Sequence, residues 1–251
     1  MIIMETNKFG RFFYSPSYIK MKNMLFNYRF RKESIKRSID KYLSTLKDKS
    51  NIKILDIGSG ISPVSPFPSK TIFVDLEKEA IDLLKKKGVN AQVGDITKLK
   101  FKKGEFDIVL CSEVLEHVPD YNLGLKEMAR VLKKNGIVII TVPIHQYYWK
   151  DDDEFVGHFR RFNPKALQKD IESAGLRVIT RKPIGSWLER NLTWLVVKIA
   201  RRNTSGKMEA GKLKLFAFNL INSILFQAIK IANYFTSEEN SSIIMFVAKK
   251  D

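Results

Sequence analysis

The sequence predicts an α/β fold: a doubly wound, mostly parallel sheet of seven strands, preceded by a helical extension and carrying a helical insert before its last strand. Three observations predict it. From residue 51 onward short β-rich runs alternate with helical stretches, the order that builds a parallel sheet covered by helices. The first of these runs ends in a glycine-rich turn, I-L-D-I-G-S-G at 54–60. Between residues 186 and 236 the alternation stops, and two long helical stretches follow one another.

Residues 17–47 mix aromatics, Leu and Ile with Lys and Arg, and read as the helix of a basic extension over 1–50. Strands are expected at 52–57, 71–75, 90–93, 106–111, 136–142, 176–181 and 242–249, and helices at 77–87, 121–133 and 164–174. Asn163 before Pro164 fits a helix cap and first helical position, and Gly88 and Gly175 sit where helices should stop. The core domain is thus 51–185 with 237–251, and the insert is 186–236. In the second half of the insert Asn219, Asn222, Ser223, Gln227, Lys230 and Asn233 recur at spacings of about three and four, one polar stripe on an otherwise apolar helix. Such a helix is too polar to span a bilayer and too apolar to stand alone in water. It could cover a substrate cleft, pack on a second subunit, lie in a membrane interface, or be buried in the core.

Lys and Arg number 44 against 27 acids, a formal charge of +17. The first fifty residues hold 12 basic and 4 acidic residues, and Arg201, Arg202, Lys207, Lys212 and Lys214 form a second cluster. That excess suits an anionic partner, either nucleic acid or an acidic membrane surface, or else a solvated lysine-rich surface. The single cysteine, Cys111, excludes an internal disulfide and a cysteine metal cluster, and reads as a buried strand residue. His117, His145 and His158 are too dispersed for a helical zinc pair, and no metal is expected. The start, M-I-I-M-E-T-N-K-F-G, lacks the apolar stretch of a signal peptide, and no run of about 20 residues is free of polar groups. A cytoplasmic location, with peripheral contact to a membrane, is the expectation.

A strand ending near Asp56 places that side chain at the carboxyl edge of the sheet, where ligands bind in open α/β folds. Gly58 and Gly60 permit a tight turn and close backbone approach. Nineteen residues on, Asp75 ends the next strand, where a carboxylate can take both hydroxyls of a ribose. This much fits either a nicotinamide dinucleotide or S-adenosylmethionine. A dinucleotide site wants G-x-G-x-x-G and helix amides facing a pyrophosphate. Here I-S-P-V-S-P follows Gly60, and acidic Asp56 would repel a pyrophosphate while suiting a sulfonium cofactor with a free amino group.

Further motifs follow in order: F-V-D-L-E at 73–77, G-D-I-T-K-L at 94–99, F-D-I-V-L-C-S-E-V-L-E-H-V-P-D at 106–120 and E-M-A-R-V-L-K-K-N-G-I-V-I-I-T-V-P at 127–143. Over about residues 51–182 and the final strand the chain resembles the class I S-adenosylmethionine-dependent methyltransferases, in the group with the E-V-L-E-H motif that includes ubiquinone-type and other small-molecule enzymes. The resemblance implies a Rossmann-like sheet and S-adenosylmethionine as cofactor. It places Asp56, Gly58, Ser59 and Gly60 around the methionine end, Asp75 on the ribose and Leu76 against the adenine. Asp95 and the Ile96 backbone fall at the adenine amino group, and Ser112, Glu113 and Val114 near the transferred methyl. Many relatives carry a third glycine where Ser62 stands, so the loop itself departs from the pattern.

The acceptor is less explicit. Enzymes that methylate nucleobase or glutamine amino groups typically show N/D-P-P-Y after the fourth strand, and cytosine-carbon enzymes a Pro-Cys nucleophile. Neither is present, which disfavours nucleic acid. The segment G-H-F-R-R-F at 157–162 resembles one found in methyltransferases of glycan, lipid or quinone pathways. His158 is a candidate base there, and Arg160 and Arg161 are candidates for binding an acidic group on the acceptor. The alternative is an arginine pair tied to the acids of 151–154 as a loop-fixing salt bridge. His117 is a second catalytic candidate and His145 a further substrate-binding one. The function expected is methyl transfer to a small or lipid-linked acceptor at a membrane surface. The alternatives are an RNA- or protein-directed methyltransferase, or an inactive module that binds the cofactor or a partner.

Overall fold

A computed structural model of the chain describes residues 22–23, 25–202 and 212–251. The start of the expected first helix (17–21), the hinge of the insert with Lys207, and the side chains of Arg201, Arg202, Lys212, Lys214 and Asn219 lie outside the described residues. Seven strands form one sheet: β1 (Ile54–Ile57), β2 (Thr71–Asp75), β3 (Ala91–Val93), β4 (Phe106–Ser112), β5 (Leu132–Pro143), β6 (Arg177–Ser186) and β7 (Ser241–Lys249). Their order across the sheet is β3-β2-β1-β4-β5-β7-β6, parallel throughout except β7, which runs antiparallel to both β5 and β6. The carboxyl ends of β1, β2, β4, β5 and β6 therefore meet at one edge.

The helices are α1 (Phe26–Ser44), α2 (Lys78–Lys86), α3 (Tyr121–Val131), α4 (Asp151–Phe155), α5 (Pro164–Ser173), α6 (Trp187–Arg202) and α7 (Lys212–Tyr234). Alternation along the central strands splits the core in two. Leu55, Ile57, Val109, Cys111, Val138 and Ile140 point to the face covered by α3 and α5, meeting Leu125, Met128, Leu167 and Ile171. Ile54, Ile108, Leu110, Ile137 and Ile139 point to the other, meeting Phe26, Phe30, Ile35 and Ile39 of α1 and Phe226 and Ile229 of α7. Each such fully buried side chain is worth about 1.5–3 kcal/mol. Helix α1 of the basic extension is therefore one wall of the core: Lys36, Arg37 and Lys41 lie on its outer side, while Arg29 and Arg31 are half-buried, Arg29 over the Phe226 ring and Arg31 on Glu113.

Two strand boundaries and one helix face differ from the sequence expectation. β5 begins at Leu132, inside the stretch expected to be helical, because Leu132 is fully buried and pairs with Phe106. A register shift beside it, with Asn135 at φ 64°, carries the chain into the main run. β6 runs on to Ser186 past Pro183, with register shifts on both sides of Gly185. It is the edge strand, where a missing donor is tolerated. The stripe on α7 is divided: Asn222 is buried, Ser223, Lys230 and Asn233 are half-buried and Gln227 is exposed, while Leu220, Ile221, Ile224 and Ile231 are exposed, and Tyr234 and Phe235 remain 85% and 79% exposed. Among the described residues no helix is long and apolar enough to cross a membrane.

Asn163 caps α5, its side chain accepting from the Lys165 and Ala166 amides at 3.0 and 3.1 Å. Asn163→Ala should cost about 1 kcal/mol, read as a lower midpoint in urea with an unchanged slope.

Candidate active site

β1 ends and the chain turns through Gly58 at φ +64° and Gly60 at φ +53°. A Cβ on Gly58 would stand 2.3 Å from Val114 Cγ2, so glycine is required there by conformation and by space. Asp56 is buried, and its Oδ2 accepts from the amides of Val64 and Ser65 at 3.1 and 2.9 Å. It thus grips the proline-containing loop that follows the glycines. Burial pushes its carboxyl up to about 7 against the pull of those two amides. Asp75 accepts from Gly60 N at 2.7 Å and from Glu77 N at 2.9 Å, one through each oxygen. A carboxylate oxygen has a second lone pair, so both can still accept from ribose hydroxyls. Burial raises Asp75, partly offset by the Glu77 and Gly60 amides and Lys22.

At the end of β4, Ser112 Oγ lies 2.8 Å from Thr141 Oγ1, and Glu113 sits at φ 56° with its side chain accepting from Thr141 at 3.1 Å. Ser112 and Glu113 line one cleft together with the turn after β1; Asp75, Val114 and Thr141 are not among its lining residues. Asp56, Gly58, Ser59, Gly60, Ser112 and Glu113 were expected from the sequence, and Lys22, Tyr28 and Arg31 were not. The Tyr28 hydroxyl donates to the carbonyls of Ser62 and Pro63, and Arg31 pairs with Glu113 at 3.0 Å. Burial and Arg31 bring the Lys22 ammonium down to about 8. The space left is about 100 Å³, against roughly 300–1,000 Å³ in sites that enclose a ligand of this class. The α1 side chains thus fill part of the cleft. Ser59 Oγ and Ser62 Oγ are buried without hydrogen-bond partners. Orphaned donors and acceptors around a glycine turn fit a polar ligand, and with Asp75 they suit the amino acid and ribose parts of S-adenosylmethionine. Leu76 is 60% exposed beyond the cleft, Ile96 is buried against Gly124, and Asp95 is exposed, accepting from the Thr97 amide and hydroxyl at 2.8 and 2.7 Å.

The expected acceptor residues fall elsewhere; none lines that cleft. His158 Nδ1 lies 2.8 Å from Asp153 Oδ1, and Arg161 pairs with the same oxygen at 2.8 Å while donating to the carbonyls of Ile144 and Ser242. Arg190 of α6 completes a buried network, bonding Asp152 twice at 2.7 Å and Asp153 at 2.9 Å. Burial favours a neutral Asp153, but His158 and Arg161 outweigh it and hold the carboxyl at about 2. Arg160 donates to Pro119 O at 3.0 Å over the Tyr121 ring, and His145 donates from Nε2 to Glu238 O at 2.9 Å. Arg161 is thus tied to the acids of 151–154, as in the loop-fixing alternative, whereas Arg160 is tied to Pro119 and Tyr121 instead.

His117 and His158, forty-one residues apart, meet with ring centroids at 4.7 Å. Their ring nitrogens and a carboxyl oxygen of Glu116 lie within 4.8 Å of one another. His117 Nδ1 donates to Gly157 O at 3.2 Å and His158 Nδ1 faces Asp153, leaving Nε2 on each ring, that of His158 3.8 Å from Glu116 Oε1. That is the second-sphere pattern of metal-binding histidines, so this donor set could hold a cation; chain spacing alone is no argument against it. Burial and Glu113 raise Glu116 well above the usual carboxylate range, while burial and His158 bring His117 down to about 4.

Comparison with known proteins agrees with this geometry. The family described as "Methyltransferase domain" matches residues 55–140. An uncharacterized protein of Methanocaldococcus jannaschii is 32% identical over 168 residues, covering 65% of this chain and 70% of its own. The ubiquinone biosynthesis O-methyltransferase of Pelagibacter ubique is 35% identical over 45% of this chain, which spans half of that relative's length. A Haemonchus contortus phosphoethanolamine N-methyltransferase 2, solved with S-adenosylhomocysteine, shares the fold at a TM-score of 0.59, with 16% identity over 97% of this chain and 60% of that one.

Gly58→Ala should push Val114 off the turn and abolish calorimetric binding of S-adenosylhomocysteine while the sheet stays folded by circular dichroism. Asp153 supplies a separate, pH-dependent stability. Its carboxyl is depressed from 3.8 to about 2, so it contributes about 2 kcal/mol, complete above about pH 4 and lost as pH falls through about 2. Asp153→Asn should flatten that part of the acid-unfolding curve and cost about 3 kcal/mol at neutral pH, since the Arg161 guanidinium loses its carboxylate while Arg190 keeps Asp152.

Proposed function

Because this chain belongs to the class I S-adenosylmethionine-dependent methyltransferases, we propose that it methylates a small or lipid-linked acceptor at an anionic membrane surface. The observation that carries this reading is the orientation of α7. An isolated soluble domain would turn Leu220, Ile221, Ile224 and Ile231 inward; here they face out, and the Tyr234–Phe235 pair, centroids 5.2 Å apart, extends the apolar row. Aromatic and aliphatic groups beside cations are the composition of an interfacial helix, and the chain's charge of +17 complements anionic lipid. The relative named for ubiquinone biosynthesis supports a quinone-type acceptor.

Bound S-adenosylmethionine supplies an activated methyl on a sulfonium. The protein's contribution is placement. Asp75 and the 58–60 turn would hold the cofactor, Glu113 is fixed beside that place by Thr141 and Arg31, and Tyr28 of α1 with Lys22, which precedes α1, would cover it. Holding two reactants in near-attack geometry supplies much of the rate of such a displacement.

The test is co-sedimentation with vesicles of phosphatidylglycerol and phosphatidylcholine. The wild type should pellet, and the double variant Ile224→Glu, Ile231→Glu should stay in solution with an unchanged melting temperature. A wild type that ignores vesicles but gives a salt-sensitive RNA shift would favour an RNA-directed enzyme. A dimer that the double variant splits would assign the face to a second copy of the chain.

A further inference from the structure

Directly after β6, at the edge shared with the cofactor cleft, α6 begins with S-W-L-E, Ser186 to Glu189. This is a capping-box pattern. Ser186 Oγ accepts from Glu189 N at 3.2 Å, and the Ser186 backbone amide lies on the side of the Glu189 carboxyl and helps to hold its charge. A cap ordinarily sits at the surface, but Glu189 is 2% exposed and its Oε2 has no partner. Facing it are Arg31 from α1, Glu113 from the β4 turn and Asn233 from α7. Arg31 Nε and both polar atoms of the Asn233 amide are likewise buried without hydrogen-bond partners. Four unsatisfied polar atoms, from elements far apart in sequence, converge beside the end of the cleft that Glu113 lines. Buried polar groups are nearly always satisfied, so such a cluster marks a place for a polar ligand.

We propose that Glu189, Arg31 and Asn233 form the acceptor subsite, that it takes an uncharged hydroxyl, and that Glu189 receives the hydroxyl proton during methyl transfer. This rests on the reading of the chain as a small-acceptor methyltransferase. The chemistry of the cluster selects the class. Glu113 and Glu189 against a single guanidinium oppose a phosphate or carboxylate. A hydroxyl can donate to Glu189 Oε2 while accepting from Arg31 Nε or the Asn233 amide, matching the orphaned atoms. The step balances. The acceptor O–H proton passes to the Glu189 carboxylate, and the oxygen forms a bond to the methyl carbon. The carbon–sulfur bond breaks with its electron pair left on sulfur, giving a methyl ether, a thioether and a carboxylic acid. Burial, with Glu113 adding to it and Arg31, the Ser186 amide and Asn233 opposing, puts the Glu189 carboxyl at about 8, a basicity suited to a general base near neutral pH.

Glutamine preserves the cap, so Glu189→Gln isolates the proton function. The full chain is supplied with S-adenosylmethionine and catechol, and release of S-adenosylhomocysteine is followed from pH 6 to 9. The wild type should turn over faster as pH rises toward about 8 and then level off. Glu189→Gln should lose about 100-fold or more in kcat, with a flat pH profile, unchanged calorimetric affinity for S-adenosylhomocysteine and the same melting temperature. Ser186→Ala, which breaks the cap and keeps the carboxyl, should lower the melting temperature and keep the pH profile. The proposal is overturned if Glu189→Gln turns over catechol like the wild type, or if Ser186→Ala reproduces its loss. It is overturned too if the wild type binds cofactor yet leaves catechol unmethylated. Failure of the wild type to bind cofactor would instead strike the methyltransferase reading itself.

Discussion

Asp56 stands buried at the end of β1 and spends one carboxyl oxygen on two backbone amides, those of Val64 and Ser65. The loop they hold carries the Ser62 and Pro63 carbonyls, and these receive the Tyr28 hydroxyl. Tyr28 fixes the start of α1, α1 sets Arg31 on Glu113, and Arg31 in turn faces Glu189. Removing the first grip would loosen each later one. Burying a carboxyl is costly unless it is hydrogen-bonded, and here the hydrogen bonds that offset the cost also shape the cofactor cleft.

The second organising fact is that α7 is inverted relative to an ordinary surface helix. Its buried side includes Asn222 and Asn233 beside Phe226 and Ile229, and its outer side is largely aliphatic and aromatic. Polar atoms reach inward because the cleft edge is polar, and α7 shares that wall with α1. One helix thereby presents Asn233 to the Glu189 carboxyl and an apolar row to the exterior.

The sheet was readable because its strands are short, apolar and bounded by Gly, Asn and Asp, and because side-chain alternation in 106–111 and 136–142 matches two covered faces. Leu132 was misread because its apolar spacing continues the helix before it equally well; only pairing with Phe106 decides. In the site, Gly58, Gly60 and Asp75 were visible because their chemistry is local to a turn and a strand end. The role of Asp56 in gripping its own loop was not, since amide donors eight and nine residues away leave no mark in the pattern. Arg31 and Glu189 were invisible for a related reason. One reads as another cation on a basic helix, the other as a capping glutamate, and each gains a role only by burial against the other. His117 and His158 reverse the lesson: separation along the chain hid a contact that the fold makes.

The packing of α1 also bears on how the chain reaches its native form. This helix leaves the ribosome before every strand it covers, yet its inner residues meet Ile137 and Ile139 of β5 and Phe226 and Ile229 of α7, the last of which emerge nearly two hundred residues later. Contacts of such separation must await closure of a long loop of chain. Phe26, Phe30, Ile35 and Ile39 therefore wait for partners made long after them, and a helix made before the sheet it covers can be fully seated only once α7 has followed.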